Sequence, residues 1–162
     1  MLAQTPEQQN PDRIWIKRWL PAIFWAIVIA TFSTRAFTAD NTGHFLIPLL
    51  HWLFPQASVQ TIERMHFYVR KSGHFTEYFM LSLLVLRGIR GGRRELRLAW
   101  MAITLLAVAC YASLDEFHQR FVPGRTPAIS DVFLDTTAGA IALLAFGLVL
   151  SLAAQRHRNT TG

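Results

Sequence analysis

The stretch from Ile129 to Ala154 is apolar almost throughout, with Asp131 and Asp135 confined to its first turns. A helix needs about 20 mostly apolar residues to cross the hydrocarbon core of a bilayer. A segment in lipid must also satisfy its own backbone hydrogen bonds, which an α-helix does. The stretch therefore reads as a spanning helix, and the rest of the chain has to fold around it.

Three more blocks have the same character. One runs from about Trp19 to Thr34, between Arg13, Lys17 and Arg18 on one side and Arg35 on the other. No A-x-A cleavage signal follows it, which favours a retained span over a signal peptide. Another centres on Phe75 to Ile89, and must begin near Tyr68 or Arg70 to be long enough. It then takes Lys71, His74 and Glu77 into its first turns. The third runs from Leu98 to Leu114. The expected fold is all-α, a polytopic four-transmembrane-helix bundle with spans at about 19–36, 69–89, 97–114 and 129–154. These form one membrane domain over 19–154, with cytoplasmic tails at 1–18 and 155–162; the first 12 residues and the segment 155–162 are expected to fray. The apolar run Phe45 to Phe54 contains Pro48 and His51 and is too short to span, so it reads as an interfacial or re-entrant helix.

Composition agrees. The chain is 52% hydrophobic and 16% charged, where soluble domains carry about a quarter charged residues. The net charge of +6 would raise nucleic-acid binding in a soluble protein. Here the arginines flank apolar blocks, no nucleic-acid motif is present, and no nucleic-acid partner is expected. The single cysteine, Cys110, is expected to be a small buried packing residue.

Lysine and arginine set orientation. With the N-terminus in the cytoplasm, ten basic residues lie inside, among them Arg87, Arg90, Arg93, Arg94 and Arg97 in one short loop, and six lie outside. Both termini are thus expected in the cytoplasm. Spans two, three and four then carry their polar residues at the outer face. Lys71, His74 and Tyr78 share a helix face, with Glu77 beside Tyr78; Asp115, His118 and Gln119 share another, next to Glu116; Asp131 and Asp135 are one turn apart. Charge facing lipid is costly, so these groups are expected to face one another or a wet cavity.

Two stretches resemble the VanZ-like family. Lys71-Ser-Gly-His74-Phe-Thr-Glu77-Tyr78 with Leu81 is similar to its K-x-x-H-x-x-x-Y-x-x-L pattern. Asp115-Glu116-Phe-His118-Gln119-Arg-Phe121-Val-Pro-Gly124-Arg125, then Ser130-Asp131 and Gly139, resembles its D-E-x-x-Q-x-F-x-x-x-R-x-x-x-x-x-D segment. The chain departs from the pattern at Asp135, where asparagine is common, and at Ala142-Leu143, where a second glycine is common. The resemblance implies a cell-envelope membrane protein, linked through the family's namesake to teicoplanin-type glycopeptide resistance. It implies no reaction.

Three functions fit these residues. In the first, Lys71, Arg125 and Arg120 hold the phosphate of a lipid-linked head group. His74, Glu77, Asp115, Glu116 and Asp131 then do acid–base work or, for His74, Glu77, Asp115 and Asp131, hold a divalent metal. No cofactor is otherwise expected, and no serine or cysteine reads as a nucleophile beside a base. In the second, Lys71, His74, Tyr78, Asp115, Glu116, Gln119, Arg125, Asp131 and Asp135 bind or transport a membrane lipid, envelope intermediate or glycopeptide. A transporter of four spans is expected to dimerise. In the third, the same polar groups only brace the bundle.

Overall fold

The computed structural model describes residues 11–34, 38–93, 95–125 and 128–161. Arg35 and Arg94, two of the arginines counted above, and the tail before Pro11 lie outside the described residues. Five α-helices follow in order and no strand occurs among the described residues: α1 (Pro11–Phe32), α2 (Ala39–Leu53), α3 (Val59–Arg90), α4 (Leu98–Gln119) and α5 (Ile129–Thr161). Three are long and apolar enough to cross a membrane, over Ile14–Phe32, Leu98–Gln119 and Ile129–Asn159. α3 has the length, about 48 Å at 1.5 Å per residue, but its first half is too polar to count as an apolar span.

Every helix is longer than its apolar block, because polar ends continue a helix wherever caps and neighbours support it. α1 opens at Pro11, whose fixed φ suits a first helical position, so residues 11–18 are helical. α3 starts ten residues before position 69, at a Ser58 cap whose hydroxyl accepts from the Thr61 N–H at 3.3 Å. α4 runs on through Asp115 to Gln119, and α5 runs to Thr161, so the C-terminal segment is helical and not frayed. α2 is capped by Thr38 and is too short to cross a bilayer.

α1, α3, α4 and α5 alternate in direction, and α3 packs against all four other helices. Trp19 of α1 meets Gly88 of α3 at one end of the bundle; Ser33, just beyond α1, meets Asp115 of α4 at the other. Between them Ile29, Tyr78, Leu81, Val108, Ala112 and Ala138 form the core, drawn from all four helices. Polar ties cross it: Trp25 Nε1 donates to the Glu77 carbonyl at 2.9 Å, and the Tyr111 hydroxyl to the Ala26 carbonyl at 2.6 Å. Gly139 allows a close approach, since a Cβ there would stand 3.1 Å from Val108 Cγ1. Gly91 ends α3 at φ 58°, and a Cβ on it would strike the Arg18 guanidinium at 2.7 Å.

The outward faces of α1, α4 and α5 are apolar at mid-helix: Phe24 and Ile27, Ile103 and Leu106, Leu144 and Leu148 are all exposed. Such surface is unfavourable in water and suits lipid. Cys110 is on this exposed surface, contrary to the buried role expected for it. A small, weakly polar side chain costs little there.

Candidate functional site

The site lies at the end of the bundle where α1 and α4 finish and α3 and α5 begin. Glu63, His66, Phe67, Arg70, Lys71 and His74 recur along α3 at intervals of one, three or four and stand on one helix face. That face lines a cavity of about 240 Å³. Ala39 at the start of α2, Gln119 of α4, Gly124 and Arg125 of the following loop, and Asp131 of α5 complete the lining.

The cavity wall is rich in cations. Lys71 and Asp131 form an ion pair that joins α3 to α5, and the Ser130 hydroxyl donates to the same carboxylate oxygen at 3.3 Å. Arg125 reaches across the loop, donating to Gln119 Oε1 at 3.3 Å and to the Phe32 carbonyl at 2.7 Å. The latter is an orphan acceptor at the C-terminus of α1, where a cation is favoured. Burial presses the Arg125 guanidinium below its ordinary pKa, opposed chiefly by Asp115 and Glu77; an arginine stays charged regardless. Arg70 makes no hydrogen bond or ion pair among the described residues. Lys71 and Asp131 neutralise each other, and among the described lining residues Arg70 and Arg125 remain as cations beside Glu63.

Beside the cavity a second layer is closed and internally satisfied. The Asp115 Oδ2 accepts from the Ser33 hydroxyl at 2.8 Å, Gln119 Nε2 at 3.0 Å and the Tyr78 hydroxyl at 3.3 Å. Gln119 also donates to Ser33 Oγ at 3.4 Å. Its amide has one sensible orientation, nitrogen toward Asp115 and oxygen toward Arg125. All four side chains are buried. The fold thus puts a serine against a carboxylate that the spacing did not reveal. Ser33 is 1% exposed and donates its proton to Asp115, so it is held as a brace and does not line the cavity.

The sequence-derived residues divide accordingly. Lys71, His74, Gln119, Arg125 and Asp131 meet at the cavity, while Tyr78 and Asp115 lie in the layer beside it. Glu116 accepts the Ala128 N–H, fastening the loop before α5. Asp135 is 3% exposed with Oδ1 lacking a hydrogen-bond partner, and His74 Nδ1 lacks one too. Glu77 is half-buried, and its carboxylate makes no hydrogen bond among the described residues. His118 and Arg120 are exposed and face away from the cavity; His118 does not share the inward face of Asp115 and Gln119. Among the described residues no three His, Cys, Asp or Glu side chains gather closely enough to hold a metal ion.

Arg70 and His66 were missed. His66, Arg70 and His74 stand at successive intervals of four, so a readable spacing existed. Arg70 registered only as a topology charge, and His66 lay ahead of the apolar block. His66 Nε2 is 3.3 Å from the Thr42 hydroxyl, which ties α2 to α3.

A helical bundle with lipid-suited outer faces and a buried polar layer at one end defines an α-helical integral membrane protein. The chain belongs to the VanZ/LLP1 family, whose profile matches residues 18–150. No curated protein and no solved structure matches it.

Proposed function

We propose that the chain is a four-span protein of the bacterial cytoplasmic membrane, with both termini inside, that binds the anionic head group of a lipid-linked envelope intermediate. In this reading α3 is the second span from about position 69, and its first ten residues rise above the bilayer. α2 lies at the interface with Phe45, Trp52 and Leu53 turned to lipid. The Asp115 end faces outward. Family membership supports a membrane protein with a link to glycopeptide resistance.

One observation carries the reading. Arg70, Lys71 and Arg125 converge on a single cavity whose lining carboxylates, among the described residues, are Asp131, already paired, and Glu63. Guanidinium groups bind phosphate oxygens in bidentate fashion. Arg70, at the start of the span, stands at head-group level, where a guanidinium can meet a phosphate. The test is binding of a polyprenyl phosphate to purified protein in detergent. Arg70→Gln, which breaks no internal hydrogen bond, is expected to weaken it about tenfold, in line with losing one charged hydrogen bond. Equal binding by the variant and wild type defeats the proposal. The buried layer around Asp115 favours a second reading for those residues alone, a brace that holds the cavity wall in place.

A further inference from the structure

The opposite end of the bundle has a second concavity, independent of the head-group site. It is a groove of about 710 Å³ between the C-terminal halves of α3 and α5. Its floor is aliphatic and aromatic, from Leu83, Leu84, Leu86, Phe146 and Leu150. Ala153 and Ala154 keep it open, because their side chains end at the β-carbon. Its rim is basic: Arg87, Arg90 and Arg93 from α3 and the turn after it, with His157 across from them. Among the described residues no acidic one lines it.

The rim is held in place by the fold. Arg87 donates to the Lys17 and Arg18 carbonyls at 3.4 and 3.1 Å. Arg90 donates to the Glu95 and Arg93 carbonyls and stacks over Phe146 at 5.0 Å. Arg93 lies over the Trp100 ring at 5.6 Å, and its guanidinium makes no hydrogen bond among the described residues. Every one of these protein partners is a neutral carbonyl or a ring. Arg87 and Arg93 thus carry their positive charge to the mouth of an apolar groove in a membrane protein, with no carboxylate paired to either among the described residues.

We propose that this groove binds an anionic phospholipid, with one acyl chain along Leu84, Phe146 and Leu150 and the phosphate between Arg90 and Arg93. A zwitterionic lipid fits the floor equally well but brings a cation to a basic rim. A lipid seated here bridges α3 and α5, the pair that also carries the Lys71–Asp131 link at the far end.

Native mass spectrometry of protein released from micelles containing equal phosphatidylglycerol and phosphatidylcholine, with matched chains, tests this. Wild type is expected to retain phosphatidylglycerol at least fivefold over phosphatidylcholine, on the order of 1 kcal/mol per basic residue at a membrane surface. Arg93→Gln is expected to lower that preference, and Ala153→Trp, which fills the groove, to abolish retention of the lipid. No preference in wild type overturns the proposal. So does a preference unchanged in Arg93→Gln, which removes the charge argument, or retention unchanged in Ala153→Trp, which removes the groove. A lipid-free dimer that Ala153→Trp converts to monomer assigns the groove to a second copy and also overturns it.

Discussion

Replacing Asp115 by alanine removes one oxygen on which three donors converge. Ser33 keeps the bond it accepts from Gln119, and its hydroxyl proton can turn to a carbonyl one turn back, as serine hydroxyls do in helices. The Tyr78 hydroxyl, on a fully buried side chain, has no other partner. One amide N–H of Gln119 loses its acceptor as well. Two buried donors left unsatisfied cost about 1–3 kcal/mol each, or about 2–6 kcal/mol together, against a typical total stability of about 5–15 kcal/mol. At about 2–4 °C per kcal/mol for a chain of this size, the melting temperature should fall by about 5–20 °C. Asp115→Asn keeps an acceptor oxygen and should recover roughly half of the loss. The assay is intrinsic tryptophan fluorescence during a thermal ramp in detergent, with membrane abundance as a second readout. Tyr78→Phe supplies an internal check: combined with Asp115→Ala it should cost less than the sum of the two, by about 1 kcal/mol, because the donor it removes is already orphaned. A melting temperature of Asp115→Ala within about 2 °C of wild type, or strict additivity in the double variant, refutes the brace.

Other consequences concern packing, pairing and protonation. Gly139→Leu forces a side chain against Val108 where even a Cβ is tight, and should cost about 1–3 kcal/mol in the same thermal assay; an unchanged melting temperature would contradict the close α4–α5 approach. Lys71→Asp alone places two carboxylates together and should reduce membrane abundance, whereas the exchange Lys71→Asp with Asp131→Lys should restore it; failure of the exchange together with tolerance of the single change speaks against the α3–α5 pair. His66 has its pKa lowered, first by burial and then by Arg70. The unfolded chain therefore takes up a proton more readily than the folded one, and the stability held above about pH 6.5 is lost as pH falls through the lowered value. His66→Gln should flatten the decline of melting temperature below about pH 6.5, and an identical decline in the variant would dismiss His66 as its source.

Much of the fold is legible in the chain, because membrane insertion is decided by local composition. The apolar blocks around Phe24, Leu106 and Leu144 announce helices by length alone; of the Arg87 to Arg97 cluster, expected in one loop, Arg87 and Arg90 belong to the last turn of α3 and the loop follows from Gly91. Helix ends were less readable. α3 begins at Val59 because a Ser58 cap and packing against α2 extend it past the apolar block, and neither leaves a hydropathy signal. In the same way α4 absorbs Asp115 through Gln119 into its last turns.

The site was partly legible. Spacing alone placed Lys71 and His74 on one face and Asp131 at the same level, and the cavity joins all three. Spacing cannot tell which way a face turns. His118 sits three residues from Asp115 yet points outward, since only Asp115 and Gln119 lie on the flank of α4 that meets Ser33 and Tyr78. Nor can spacing pair residues far apart in the chain. Ser33 with Asp115, Arg125 with the Phe32 carbonyl and Arg70 with its vacant neighbourhood depend on how α1, α3 and α4 cross. The chain by itself therefore determined that helices sit in a membrane and that polar residues gather at one end, because solvent preference is a property of each segment. Which of those residues brace the bundle and which line a basic cavity was decided only by tertiary packing, because hydrogen bonds and cavities are properties of pairs of segments.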